Sequence, residues 1–352
     1  MKKFAIFILL IVTFVGFSYQ WEVFPGFFKP IDSLAMGSIY TTTAEGINAL
    51  ILNPALYTPG FELIVSPGLS NNIAEISKLF PYISNPASIT DLATDTELLT
   101  AIQGVHNYDL NLAAGYGAKI GNFVVGGMGA FQATAFWNLS LMNLNKVELG
   151  AWMDYFGVVG GAMKFENLRV GASVGGGMAG FIIPATGTEF PATVNLMGSD
   201  PFEGILPDDL SKIFTNINQP FFITSAGIAY DINNFRLGLS FFANFNDVLT
   251  GGPRYVLSTG ASYTWQFLTV AAELEDLLNQ EKTILRKINL GLRTDFGFVK
   301  LYGGLHAGWL TGGVKLDIPF VKIGFAAYVC EYSAYAGLMG EPRFVLSFDT
   351  KF

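Results

Sequence analysis

Residues 235–244 read Phe235-Arg236-Leu237-Gly238-Leu239-Ser240-Phe241-Phe242-Ala243-Asn244, and this stretch decides the fold. Phe235, Leu237, Leu239, Phe241 and Ala243 fall on one face of an extended chain, and Arg236, Gly238, Ser240 and Asn244 on the other. Successive side chains of a strand point to opposite faces, so the stretch predicts a strand with one apolar and one polar face. The same alternation returns elsewhere. Phe344, Leu346, Phe348 and Phe352, with Thr350 among them, oppose Val345, Ser347, Asp349 and Lys351. Ile288, Leu290 and Leu292 alternate with Lys287, Asn289, Gly291 and Arg293. Val299, Leu301, Leu305, Ala307 and Trp309 oppose Lys300, Tyr302, His306 and Gly308. Val147, Leu149, Ala151, Met153 and Tyr155 oppose Glu148, Trp152 and Asp154. Helical spacing fits none of these runs as well.

Composition says what the apolar face meets. The chain of 352 residues is 51% hydrophobic but only 14% charged, against about 25% charged in a soluble globular protein. Much of its surface is therefore expected to face something other than water. No stretch after the N-terminal residues has the roughly 18 uninterrupted apolar residues that a spanning helix needs. Glycine, 40 residues, and phenylalanine, 32, instead dilute and thicken the apolar runs, as suits strands, barrel walls and interfacial aromatic girdles. The expected fold is all-β, a transmembrane antiparallel β-barrel of about 14 strands.

Alternation and turn signals place those strands near 61–70, 106–120, 122–140, 146–165, 168–183, 220–231, 235–246, 254–264, 267–275, 284–296, 298–308, 311–318, 321–331 and 342–352. Gly121-Asn122, Glu166-Asn167, Asn233-Asn234, Gly297 and the corner at Pro319 read as tight turns. They alternate with longer links at 71–105, 141–145, 184–219, 246–253, 276–283 and 332–341. One rim of short turns and one of long loops is the asymmetry of an outer-membrane barrel. An aromatic Phe352 closing an alternating strand resembles the assembly signal of bacterial outer-membrane proteins. In the link 71–105, Ile73 to Phe80 and Ser88 to Ile102 look helical. There Ile89, Leu92, Leu99 and Ile102 could share a face that covers the barrel mouth or packs on its rim.

Residues 1–18 read as a signal peptide: Lys2-Lys3, an apolar Phe4 to Phe17, and small residues at Gly16 and Ser18 before cleavage. A retained anchor is the alternative. Residues 19–60, with Pro25, Pro30, Pro54 and Pro59 and no long alternation, read as a hatch inside or beneath the barrel, and 61–352 as the barrel itself. Within that segment stand Ala35-Met36-Gly37-Ser38, Tyr40-Thr41-Thr42-Thr43-Ala44-Glu45-Gly46 and Ala49-Leu50-Ile51-Leu52-Asn53-Pro54-Ala55-Leu56. They resemble the start of FadL-like outer-membrane barrels, a superfamily that includes long-chain fatty-acid transporters and PorV-like and TraF-like barrels. Asn53-Pro54-Ala55-Leu56 matches the family's NPA corner before the first strand; Glu45-Gly46 stand where paired aspartates are usual. Independently of the resemblance, Asn53 can bond neighbouring backbone and Pro54 fixes φ, so the pair predicts a firm hatch corner that is structural or gating.

The resemblance implies passive handling of a hydrophobic small molecule, fatty-acid-like or hydrocarbon, at the bacterial outer membrane. It places candidate path contacts at Phe24, Phe27, Phe28 and Leu34, and a candidate wall kink at Gly126, Gly127 and Gly129. The alternatives are a PorV-like partner in protein export or surface attachment, and a general porin. The expected partners are outer-membrane lipid, a hydrophobic ligand and a candidate envelope protein.

Other chemistry is excluded or unsupported. A net charge of −8 argues against nucleic acid, whose phosphates need clustered Lys and Arg. The glycines at 115, 117 and 121 open no helix, so no dinucleotide site is expected. Two histidines without neighbouring ligands predict no metal, no nucleophile pairs with a base, and neither an enzyme nor a cofactor is expected. The lone Cys330 permits no intrachain disulfide and reads as a small buried residue or a reactive thiol. The polar faces carry both signs of charge: Glu148, Asp154, Arg236, Lys287, Arg293 and Lys300 are candidates for a lumen network. Such groups either brace the wall and seat the hatch or line a solute path.

Overall fold

A computed structural model describes residues 29–72, 78, 95–101, 103–139, 146–183, 192–195, 217–247, 252–279, 282–333 and 335–351. The expected signal peptide, Phe24, Phe27, Phe28, Phe352 and the segments 73–77 and 79–94 lie outside the described residues.

Among the described residues, fifteen antiparallel strands form one sheet. They are β1 (Gly60–Ser70), β2 (Gly104–Ile120), β3 (Phe123–Leu139), β4 (Lys146–Phe165), β5 (Leu168–Ile183), β6 (Ala192–Asn195), β7 (Gln219–Ile232), β8 (Phe235–Asp247), β9 (Gly252–Trp265), β10 (Leu268–Leu274), β11 (Ile288–Asp295), β12 (Val299–His306), β13 (Trp309–Ile318), β14 (Val321–Glu331) and β15 (Gly340–Lys351). β1 pairs with both β2 and β15, and β3 pairs with β4, so fourteen strands close into a barrel. The fifteenth, β6, lies within the expected link 184–219 and pairs with Lys146–Leu149, taking over the edge of β4 where its ladder with β5 shifts register between Ala151 and Trp152.

Closure leaves the fourteen-strand wall two faces, with β6 as an edge strand beyond it. In β8, Leu237 and Leu239 point outward at 47% and 40% exposure while Ser240 is buried at 4%. The outside is a belt of exposed apolar side chains, among them Phe235, Trp265, Phe298 and Phe348. Six tight turns hold one rim, and each has a residue in the left-handed region: Gly121, Glu166, Asn233, Gln266, Gly297 and Phe320.

Most strand ends fall within a residue or two of the sequence reading, and two differences change the local structure. Ile284–Lys287 is a helical turn rather than the start of a strand. Trp309 begins β13 rather than ending β12, because Ala307 and Gly308, both with positive φ, reverse the chain and set Trp309 opposite His306. The wall is also uneven. β2 to β5 run 16–20 residues, whereas β10, β11 and β12 run 7 or 8. Beside the low wall, apolar Leu278, Ile284, Leu285 and Leu310 stand exposed in or next to the connecting turns.

A candidate functional site: the hatch seated in the lumen

Residues 29–57 lie inside the barrel and are almost wholly buried. Short helices at Ile31–Ala35 and Ala49–Leu52 and 3-10 turns at Gly46–Asn48 and Pro54–Leu56 fold the segment against the inner wall. The Asn-Pro pair makes its final corner. Asn53 Oδ1 accepts from Ala55 N at 3.2 Å and its amide donates to Thr41 O at 2.6 Å, so one side chain ties two hatch segments together. Pro54 sits at the first position of the 3-10 turn, where its missing N–H leaves nothing unsatisfied. The wall makes room for this corner by omitting side chains. A Cβ at Gly227 would collide with Asn53 Oδ1, and one at Gly171 with the Pro54 backbone. Leu50, Ile51 and Leu52 then join Met128, Phe156, Phe221 and Phe242 of the wall in one apolar core.

Polar wall groups fix the rest. Glu273, 2% exposed, accepts from Tyr40 N at 3.0 Å, Thr41 N at 2.8 Å and Thr41 Oγ1 at 2.6 Å. Tyr40 Oη also meets Ser258 Oγ at 2.8 Å. Just beyond β10, Glu275 accepts from Lys29 Nζ at 2.9 Å and from Asn289 at 2.9 Å, and Asn289 Oδ1 meets His306 Nδ1 at 2.8 Å. Lys315 donates to Asp32 at 3.0 Å. Burial alone would raise the Asp32 carboxyl, but the ammonium groups of Lys315 and Lys300 outweigh it and hold the group below its usual range. Ser225 donates to Ile51 O at 2.7 Å, and Ser173 donates to Leu50 O. Nearer the short-turn rim, Glu62 accepts from Ile47 N at 2.8 Å and Arg236 donates to Thr42 O at 3.1 Å. Between Thr42, Thr43 and Glu45 of the hatch and Arg236, Thr269 and Arg293 of the wall opens a polar cleft of about 620 Å3.

The sequence candidates are dispersed over this arrangement. Leu34 is buried in a second apolar cluster with Ile31, Met36, Ile39 and the wall's Tyr302. Arg236 pairs with Asp231 at 2.7 Å, Arg293 with the hatch's Glu45 at 3.4 Å, and Lys300 with Asp295 and Asp317 at 3.6 and 3.4 Å. Lys287 donates to Leu277 O at 3.3 Å, and Glu148 accepts from Asn138 at 2.8 Å. Among the described residues these are local contacts to different partners, and Asp154 Oδ1 has no hydrogen-bond partner. Gly126, Gly127 and Gly129 stand in a ladder that pairs without a break to β2 and β4. On the outside of these strands, Val125, Val159 and Val174 with Gly126 and Gly160 line a groove of about 580 Å3. Sequence reasoning did not single out Tyr40, Thr41 or Lys29. Their partners on the wall lie 218 to 246 residues away, and no local pattern marks such a pair.

A closed antiparallel barrel of transmembrane type with an internal hatch is thus the class that the fold and the lumen define. Among solved structures, the chain is similar to the monoaromatic hydrocarbon channel TodX in a form lacking S2 and S3, with a TM-score of 0.56 at 11% identity, covering 94% of this chain and 100% of that one. A TodX form lacking S2 gives 0.51 at 13% identity, covering 92% and 98%. The Pseudomonas putida toluene transporter TodX gives 0.50 at 12% identity with the same coverage. At this identity the likeness is one of fold. No protein-family model matches the sequence, and no curated protein matches it.

Proposed function

We propose that this chain is a bacterial outer-membrane barrel of FadL-like type that passes a hydrophobic small molecule without an energy source. The observation that carries the reading is the pairing of an apolar outer belt with a lumen occupied by a bonded hatch. A filled lumen suits a solute that enters from apolar surroundings and moves past a displaceable segment better than it suits steady water-filled conduction. The TodX structures, described as hydrocarbon channels, share the fold and support the same class of solute.

The wall residues have distinct parts in this reading. Glu273 and Glu275 hold the Lys29–Thr41 half of the hatch. Ser173, Ser225, Gly171 and Gly227 seat the Leu50–Pro54 half. Passage needs one half to shift while the other stays anchored, and the polar cleft at the short-turn rim is where the freed segment would meet water. Gly126, Gly127 and Gly129 are proposed as the stretch where the wall yields.

The test is binding of labelled toluene and of a labelled fatty acid to the purified barrel, with uptake compared before and after deletion of residues 19–35. Saturable binding and altered uptake are expected. No binding together with unchanged uptake would overturn the reading.

A further inference from the structure

Three lumen-facing side chains form a row across β2, β3 and β4: Asn111 lies opposite Gln132, and Gln132 opposite Asp154. Gln132 is 1% exposed and Asp154 9%. Yet Asn111 Oδ1, both Gln132 Oε1 and Nε2, and Asp154 Oδ1 lack hydrogen-bond partners. Buried amides and carboxylates are ordinarily satisfied, and here three adjacent ones are not.

The surroundings of the row are ordered by layer. Two residues nearer the short-turn rim, the same strands present Ala113, Ala130 and Phe156, all buried in the apolar core above the hatch. Phe156 meets Phe221 edge-on, with ring centroids 6.0 Å apart. Two residues toward the opposite rim, the same strands present Asp109, Thr134 and Trp152. There Asp109 is paired with Arg343 and accepts from Thr134 at 2.8 Å. The row thus lies between an apolar layer and a mixed one that carries its own ion pair.

Its electrostatics are one-sided. Among the described residues, the charged group that acts on Asp154 is another carboxylate, Asp247. Asp247 has a cation of its own, Arg254, at 3.4 Å, while Asp154 has none among the described residues. Three of the four unpartnered atoms are oxygens, two amide carbonyls that can only accept and one carboxyl oxygen.

We propose that Asn111, Gln132 and Asp154 form a head-group subsite for a solute with an apolar body and a hydrogen-bond-donating end, a primary amine by preference and a hydroxyl second. The apolar body would lie on the Phe156 and Phe221 side, and the donor would point at Asp154 and Gln132. An anionic head would meet Asp154 without a countercharge and is selected against. This assignment rests on the proposed transport of a hydrophobic molecule and narrows it.

Four probes with one aromatic body test it: benzylamine, benzyl alcohol, toluene and benzoate, titrated into the purified full-length barrel. Benzylamine should bind about tenfold more tightly than toluene, and benzoate more weakly than either, as a charge-assisted bond against none requires. Asp154→Asn should cost benzylamine about tenfold and leave toluene within about twofold. Gln132→Leu serves as a second variant, expected to weaken benzyl alcohol more than toluene, and heat-dependent gel migration verifies that each variant is folded. Equal affinity for all four probes, or equal losses for benzylamine and toluene in Asp154→Asn, would overturn the subsite while leaving hydrocarbon transport standing. Binding of benzylamine without toluene would keep the subsite and overturn the hydrocarbon reading. Binding of none would overturn both.

Discussion

Glu273 is the single side chain on which the hatch most depends. Its carboxyl group takes three hydrogen bonds from Tyr40 and Thr41, and removing a buried acceptor leaves those donors unsatisfied. Glu273→Ala should therefore destabilise the folded barrel by about 3 kcal/mol, read as a lower temperature for the heat-dependent gel shift. Glu273→Gln, which keeps an acceptor oxygen, should cost less. Gly227 makes the complementary point. A side chain there occupies the place of Asn53 Oδ1, and Gly227→Val should cost about 1–3 kcal/mol through overpacking. Cys330 is 2% exposed, and Arg343 donates to its sulfur at 3.4 Å. The folded protein should therefore resist a water-soluble maleimide that labels the denatured chain, and labelling of the native state would restore the reactive-thiol reading.

At the scale of elements, the period-two pattern was legible to within a few residues. β4, β5 and β14 begin and end where the alternation places them, because each has one face against the interior and one turned outward, which a slip of one residue would invert. β6 was not legible: four residues, Ala192–Asn195, carry too little alternation to stand out of a long link. The Ile284–Lys287 turn was misread for a related reason, since an apolar pair followed by Arg286-Lys287 fits either period over so short a span. The hatch corner was visible in Asn53-Pro54 because its bonds are local. The seat was not, because a β10 glutamate and an N-terminal Tyr-Thr pair share no sequence neighbourhood. Asn53→Ala removes bonds to both Ala55 and Thr41 and should lower stability by about 1–3 kcal/mol, with the loss confined to hatch anchoring. Protease cleavage within residues 40–56 before global unfolding would verify this. Simultaneous loss of hatch and wall would refute it.

For the whole molecule, hatch and wall form one electrostatic unit, and pH should reveal it. The Asp32 carboxyl is held below its ordinary value of 3.8 by Lys315 and Lys300, against the effect of burial. A depressed acid contributes its stability at every pH above the unfolded value and loses it only as pH falls through the folded one. In planar bilayers, ion conductance should thus stay low from neutral pH down to about the ordinary carboxylate range and rise below it. Asp32→Asn should raise the neutral-pH conductance toward the acid level. Conductance that is high in the wild type at neutral pH would identify a general porin and overturn the hatch reading.

The low stretch of wall has a consequence for the surrounding lipid. Eight strand residues at about 3.3 Å each, tilted by about 40°, rise only about 20 Å, short of the roughly 25 Å apolar band usual for such barrels. The exposed Ile284 and Leu285 lengthen that side but do so from a helical turn rather than from a hydrogen-bonded ladder. The taller strands on the opposite arc meet no such shortage, so the hydrophobic mismatch is lopsided. Bilayer thinning should concentrate beside β10 to β12, giving the barrel a preferred tilt and one flank that favours short acyl chains. Reconstitution in lipids of 12 to about 18 carbons should show the highest thermal stability at the short end.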